Sequence, residues 1–307
     1  MKRVVIVYNP RSSHYRRINR DVIVVLQQRK DWQVAKYEIE PVDVNENATK
    51  LAAMLRDGDL VISAGGDGTA SASLNGVMIT KAKNVRFSVL GFGNFNDMAR
   101  SFGEPKLEEI LDGEATEVWP LECLVNGKHW RFGMCYFTAG MFAEACPVFD
   151  HPKTRHALRR GNKRVTFSMG VLARWWLKCH KNHFLPEEFG LGDSSREFVR
   201  RVGMSDYLAV NGLSVARIMK GGDWFKKPDA FLSSTAQLTK FWKLVDFMLR
   251  SMFKRVPGAE SDYDCLGFRK PESIMVQAEG EYMRMTGVKT LEVRKAKRSV
   301  LAVMKKK

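Results

Sequence analysis

The chain of 307 residues has no uninterrupted apolar run near the roughly 18 to 20 residues that a bilayer-spanning helix needs. Met1-Lys2-Arg3 passes straight into the strand-like Val4-Val5-Ile6-Val7-Tyr8 instead of an apolar leader, so a cytoplasmic location is expected. Cysteine is scarce. Cys123, Cys135, Cys146, Cys179 and Cys265 are odd in number and widely spaced, with no Cys-x-x-Cys, which speaks against a disulfide framework or a zinc cluster and predicts buried free thiols. His180 and His183 stand three apart with no carboxylate nearby, and no metal is assigned to them. Repeats and low-complexity tracts are absent, and a hydrophobic content of 45% excludes a disordered chain. Acidic residues are also in short supply, with 34 Asp+Glu against 50 Lys+Arg and a net charge of +16. Between His151 and Pro186 there is no acidic residue at all, whereas Lys and Arg recur from Lys153 to Lys181. Such a surplus suits anionic partners, either acidic lipid headgroups or nucleic acid. No zinc-finger spacing, RNA-binding aromatic signature or helix-turn-helix pattern favours nucleic acid.

The most informative stretch is Leu60-Val61-Ile62-Ser63-Ala64-Gly65-Gly66-Asp67-Gly68-Thr69, where an apolar strand empties into three glycines around one carboxylate. Glycine lets the backbone approach phosphate oxygens and aim N–H groups at them, and a helix starting at Thr69 would turn its positive end toward the anion. Asp67 does not fit a phosphate directly. A carboxylate beside phosphates needs Mg²⁺, or a water held by it, to be tolerated there.

Strand and helix signals alternate through the first half. Strands are predicted at Val4 to Val7, Trp32 to Ile39, Leu60 to Ala64 and Val85 to Leu90, with helices at Ile18 to Gln28, Ala48 to Arg56 and from the glycine turn to Met78. This implies a doubly wound α/β nucleotide-binding domain over residues 1–120, with ligands beyond the carboxyl ends of the strands. Asn9, Gly65 to Thr69 and Gly91 to Asp97 all fall there. Beyond Pro120 the strand-like segments Glu117 to Val125, Trp130 to Thr138, Tyr207 to Val210, Ser273 to Ala278 and Leu291 to Arg294 predict a mostly antiparallel, β-rich domain. That domain covers residues 121–307, with a basic helical segment inserted near 153–181 and the extreme C-terminus able to pack back on the first. Apolar residues from Val165 to Lys178 recur at helical spacing, as a core helix with a basic edge or as a membrane-surface element. The run Lys240-Phe241-Trp242-Lys243 through Met252-Phe253-Lys254-Arg255 reads either as a second membrane-surface element or, with Phe241, Leu244, Val245, Met248 and Met252 in one stripe, as an ordinary core-facing helix.

Taken in order, the motifs resemble the diacylglycerol kinase catalytic family, particularly its soluble bacterial lipid kinases, related to sphingosine kinases and NAD kinases. Tyr8-Asn9-Pro10-Arg11-Ser12-Ser13 is similar to the family's Asn-Pro-x-Ser-Gly opening, Gly65 to Thr69 to its Gly-Gly-Asp-Gly-Thr, and Asn75-Gly76 follows. Gly91-Phe92-Gly93-Asn94-Phe95-Asn96-Asp97-Met98-Ala99-Arg100 keeps the terminal Asn-Asp-x-Ala-Arg, which discriminates against NAD kinase. Ala139-Gly140, Val210-Asn211-Gly212, Gly221-Gly222, Pro228-Asp229-Ala230 and Glu279-Gly280-Glu281 continue the match. The resemblance implies an active site in the interdomain cleft and an ATP- and Mg²⁺-dependent lipid kinase that phosphorylates diacylglycerol or a related lipid alcohol. By it, Gly65, Gly66, Gly68 and Thr69 cradle phosphates, with Asn9, Asn96 and Arg100 contributing to the nucleotide. Asp67 and Asp97 organise Mg²⁺, and Glu281 takes the proton of the acceptor hydroxyl. Arg100 either clamps phosphate or pairs with Asp97. Alone, Glu279-Gly280-Glu281 reads as a hairpin turn.

The chain departs from the family at Ser13, at Asn94-Phe95, at Ser71-Ala72 and at Ser234-Thr235, where the accessory metal site of some bacterial relatives is expected to be missing. A lipid acceptor implies peripheral contact with an anionic membrane surface, and a homodimer is left open. The competing readings are a soluble-substrate kinase of the NAD-kinase type and a non-catalytic descendant that binds nucleotide or an anionic surface.

Overall fold

The computed structural model describes residues 2–93, 96–149, 151–159, 170–171, 173–174, 176–177, 189–192, 200–202, 206–211, 231–236, 241–242, 245–246, 259–260 and 263–305. They belong to two compact units: Met1–Pro120 with Arg131–Cys135 and Ala296–Lys307, and Leu121–Trp130 with Tyr136–Lys295.

The first unit is built on a parallel sheet. Its elements are β1 (Lys2–Tyr8), α1 (Tyr15–Ile18), a π-helical turn (Asn19–Ile23), α2 (Val24–Gln27), β2 (Trp32–Glu38), α3 (Val44–Met54), β3 (Leu60–Gly65), α4 (Asp67–Ile79), β4 (Arg86–Gly91), α5 (Asp97–Ser101), α6 (Leu107–Leu111) and β5 (Ala115–Val118). The order β2-β1-β3-β4 continues through the C-terminal strand Val300–Val303 to β5, which alone in this sheet runs antiparallel to its neighbour. Val4–Val7 and all of β3 are buried, as expected of strands covered on both faces. On one face Val4, Ile6, Leu60 and Ile62 pack with Ile18, Val22 and Leu26 into a single core.

Helix α4 is buried at ten consecutive positions, Thr69 to Met78, which explains its Ala, Ser and Gly content. Larger side chains would not let it lie so close to α3. A Cβ on Gly76 would stand 2.8 Å from Leu51 Cδ2 and 3.2 Å from the Ala48 carbonyl oxygen. Asn75 adds a clamp: its amide donates to the Phe132 carbonyl at 2.9 Å and its Oδ1 accepts from the Phe132 N–H at 2.8 Å.

The second unit is antiparallel. It contains β6 (Leu121–Val125), β7 (Lys128–Gly133, which also supplies residues to the first unit), β8 (Tyr136–Ala139), α7 (Met141–Phe149), α8 (Pro152–Arg159), β9 (Phe189–Gly192), β10 (Arg200–Val202), β11 (Asp206–Asn211), β12 (Phe231–Ala236), β13 (Ala259–Glu260), β14 (Tyr263–Ala278) and β15 (Glu281–Lys295). The described strands order as β13-β12-β11-β8-β14-β15-β6-β7, with β9 on β14 and β10 on β9. Phe137, Ala139, Ile274, Val276, Ala278, Val288, Leu291 and Val293 form the core of this sheet. Two-residue turns with positive φ close two of its hairpins, Asn126–Gly127 at 51° and 73° and Glu279–Gly280 at 53° and 82°. The last strand, β16 (Val300–Val303), is the C-terminal strand of the first sheet.

The doubly wound domain followed by an antiparallel one is therefore present, with two local corrections. Glu117 to Val125 is not one strand: Trp119-Pro120 divides it into β5 of the first sheet and β6 of the second, because proline has no N–H for a ladder. Trp130 to Thr138 likewise divides at Met134-Cys135 into β7 and β8. Cys123 and Cys135 are buried free thiols and Cys146 is a partly buried one. His180, His183, Gly212, Gly221-Gly222 and Pro228-Asp229-Ala230 lie outside the described residues.

Gly76→Val should lower the unfolding free energy by about 1–3 kcal/mol through overpacking of α3 against α4, read as a lower urea midpoint with an unchanged slope. Gly58→Ala is not a matched control, because its φ of 77° strains any side chain.

Candidate active site

Three loops leave the carboxyl ends of adjacent strands in the first unit. Tyr8 pairs with Ala64, and Gly65 pairs with Gly91, so Asn9, Gly66 and Phe92 follow from neighbouring positions on one edge. The Phe92 N–H donates to the Gly65 carbonyl at 2.8 Å, extending the ladder by one bond. Beyond it the two glycine loops touch backbone to backbone. A Cβ on Gly93 would stand 2.6 Å from Gly66 Cα and 2.9 Å from Asn96 Oδ1. No residue with a side chain fits there without moving a loop.

Gly66 caps α4 in an extended conformation, and its carbonyl accepts the Ala70 N–H at 3.0 Å. Asp67 and Gly68 thus occupy the first turn, where backbone N–H groups have no intrahelical acceptor and the helix dipole favours an anion. Gly65 has its own steric reason: a Cβ would meet Thr69 Oγ1 at 2.6 Å, so the Thr69 side chain folds back over it.

The segment after Gly93 is held by Asn96, which adopts a left-handed conformation at φ 54°. Its Oδ1 accepts from the Gly93 N–H at 2.6 Å, and its Nδ2 donates to the Gly93 carbonyl at 2.9 Å. Both ends of the Asn96 amide are engaged within the loop. The Met98 N–H then points back to Asp67 Oδ1 at 3.4 Å, and Arg100 pairs with Asp97. Exclusion of water raises the Asp67 carboxyl above its ordinary 3.8, against the pull of the Met98 N–H and the Arg100 charge. Asn9 uses its Oδ1 locally, accepting the Arg11 N–H at 2.9 Å. Nearby, the Arg17 guanidinium lies 5.5 Å from the Phe92 ring centroid and brings a cation to this loop, a contact that sequence spacing did not disclose.

Asn9, Gly65, Gly66, Asp67, Gly68, Thr69, Asn96, Asp97 and Arg100 all belong to the first unit. Asn94 and Phe95 lie outside the described residues. Glu281 belongs to the second unit, exposed at the first position of β15 and paired in register with Ala278. Its neighbour Glu279 is buried in the turn, where Oε1 accepts the Tyr136 N–H at 3.1 Å. The two glutamates of one short motif therefore have opposite environments, and Glu281 is the one open to solvent.

Sequence reasoning missed a further carboxylate in this unit. Glu144, in the first turn of α7, is 6% exposed and forms an ion pair with Arg284 of β15. A lone acidic residue in an apolar helical stretch was its only sequence signal.

Among the described residues no cluster of three or more His, Cys, Asp or Glu can hold a metal by itself. Mg²⁺ in nucleotide sites uses one or two carboxylates together with phosphate oxygens and waters. Asp67, half-buried in the first turn of α4, fits that requirement; Asp97 would share it with its Arg100 contact.

A parallel sheet whose glycine loops converge on a helix N-terminus defines the class, a doubly wound α/β unit joined to a β-rich unit. Residues 3–124 match the model of the diacylglycerol kinase catalytic domain. Diacylglycerol kinases of Staphylococcus epidermidis and Staphylococcus aureus are each 30% identical over 125 residues, which is 38% of this chain and 38% of the relative's own length. The match thus spans less than half of each relative. A crystal structure of a diacylglycerol kinase from Bacillus anthracis superposes with a TM-score of 0.60 at 14% identity, covering 99% of this chain and 97% of that one. At that identity the likeness is one of fold, extending over both units.

Two outcomes test this geometry. Gly93→Ala should destabilise the protein by about 1–3 kcal/mol in urea unfolding, because the new Cβ meets the Gly66 backbone as well as Asn96 Oδ1. Asp67→Asn should raise the melting temperature of the metal-free protein at neutral pH. The folded-state pKa of Asp67 is raised, so ionising it opposes folding, and stability falls as pH climbs from the unfolded value near 3.8 through the raised one. The difference between variant and wild type should therefore close on approaching about pH 4, and a variant that melts lower at neutral pH would contradict the assignment.

Proposed function

We propose that the protein is a lipid kinase that transfers the γ-phosphoryl group of ATP to the hydroxyl of diacylglycerol or a related lipid alcohol. The observation that carries this reading is Asp67: a half-buried carboxylate in the first turn of α4, backed by the Gly66–Gly93 contact, within a segment that matches the diacylglycerol kinase catalytic domain. The names of the staphylococcal relatives support the acceptor class.

The N–H groups of Asp67 and Gly68 would donate to oxygens of the donor phosphates, with Asn9 Nδ2 as a further donor. Asp67, and with it Asp97, would hold Mg²⁺ through oxygen or bound water. When bound, that ion neutralises charge on the β- and γ-phosphates. Glu281 accepts the proton of the acceptor hydroxyl as its oxygen bonds to the γ-phosphorus and the bond to the β–γ bridging oxygen breaks, giving a lipid phosphate and ADP. The role of Glu281 is taken from the family resemblance. Its exposure suits a base that must meet an incoming substrate, and the exposed side chains of Tyr282 and Met283 give it an apolar fringe that suits a lipid.

The test is Mg-ATP phosphoryl transfer to lipid alcohols in mixed micelles, with Asp67→Ala and Glu281→Ala alongside. Labelled lipid phosphate from the wild type, reduced about 10²–10⁴-fold in Glu281→Ala with its melting curve preserved, is the expected result. Transfer to a soluble acceptor such as NAD⁺ instead of any lipid would move the assignment to the NAD-kinase type. ATP binding with no transfer at all would leave a binding protein.

A further inference from the structure

Two stretches of the second unit that are far apart in sequence meet through aromatic rings. Residues 170–171, 173–174 and 176–177 are helical, as are 241–242 and 245–246. The ring of Trp176 packs edge-on against Phe241 at 6.1 Å between centroids, and Phe241 against Trp242 at 5.4 Å. The ladder runs from a half-buried end to an open one. Val171, Ala173, Trp176, Phe241 and Val245 are buried or half-buried, so the inward stripe expected for the second stretch holds at its described positions. At the other end Trp242 is 72% exposed and Leu177, next to Trp176, is 57% exposed.

These are the two most exposed large apolar side chains among the described residues. Isolated exposed apolar residues need no explanation, but two flanking one aromatic ladder are an unfinished surface. Its charge indicates what completes it. Arg174, one turn before Leu177 on the same helical face, is exposed, and the sequence from Lys153 to Lys181 contains nine Lys and Arg with no acidic residue. Lys240 and Lys243 flank Phe241-Trp242 in sequence, and Asp246, one turn past Trp242, marks where that face becomes acidic.

We infer that Trp242 and Leu177 insert together into the interface of a bilayer containing anionic phospholipid, with Arg174 on the headgroups. Tryptophan suits this depth because its ring is apolar and its N–H is polar. No helix among the described residues is long and apolar enough to cross a membrane, so the contact is one of lying on the surface. The inference rests on the lipid-kinase reading, since a lipid acceptor must be taken from a bilayer, but its test does not depend on catalysis.

Sedimentation with vesicles is the experiment, using phosphatidylcholine alone and phosphatidylcholine with about one quarter phosphatidylglycerol to supply the anionic surface. The wild type should sediment with the anionic vesicles. The double variant Trp242→Ser/Leu177→Ser should bind them at least about tenfold more weakly, because burying side chains of this size exceeds one tenfold factor. Arg174→Gln should weaken binding by about fivefold, and only to the anionic vesicles. In the wild type, brominated-chain lipids should quench tryptophan emission by a component that is missing in Trp242→Phe, which reads insertion without relying on a disruptive variant. If the kinase reading also holds, the double variant keeps its rate on a short-chain diacylglycerol dissolved as monomer and loses rate on long-chain substrate in vesicles. If no phosphoryl transfer is found, that reading fails while vesicle binding still decides this one. Wild-type protein left in the supernatant, equal binding by wild type and double variant, or retention by a DNA fragment in place of vesicles overturns it.

Discussion

The contact between Gly66 and Gly93 is the constraint on which the candidate site depends. Both residues stand just beyond paired strand ends, and the ladder that joins Gly65 to Gly91 drives their loops together. A Cβ on Gly93 would stand 2.6 Å from Gly66 Cα, so Gly93 is a steric requirement, whereas one on Gly66 would be tight at 3.3 Å. Asn96 secures the same point from the opposite side by bonding both polar groups of Gly93. That lock brings the Met98 N–H to Asp67. The family motifs around Gly66 and Gly93 are thus two halves of one packed structure, although 26 residues separate those glycines in sequence.

Asp67 shows the expense of such an arrangement. A half-buried carboxylate whose pKa is raised opposes folding when ionised, and this one sits in the first turn of a helix, where the dipole favours an anion. Stability is lost at the position where a cation and an anion would restore it. Structures that give up stability at one carboxylate commonly do so where a ligand later supplies the missing charge.

The second unit has a different logic. Its long hairpin of β14 and β15 turns at Glu279–Gly280, and one motif there serves two purposes. Glu279 is buried and bonded to the backbone of β8, fixing the turn, while Glu281 is left in solvent at the start of the next strand. Glu144 and Arg284 bind α7 to the same hairpin. Elsewhere in the unit Trp176, Phe241 and Trp242 pack into an aromatic ladder that ends in exposed Trp242, with exposed Arg174 on the first of its two helical stretches.

Much of the first unit was legible in the sequence. Alternating strand and helix patterns specify a doubly wound sheet because both periodicities are local, and Gly65 to Thr69 announces a tight strand-to-helix turn by composition alone. The strand boundaries at Trp119-Pro120 were missed because an apolar run shows that residues are buried, not in which sheet. What only the tertiary structure decided are relations between distant residues: Asn75 with Phe132, Glu144 with Arg284, Gly66 with Gly93, and Trp176 with Phe241. Sequence determines local conformation through short-range sterics and hydrogen bonding. Contacts across tens of residues depend on how whole elements pack, and no local pattern encodes that.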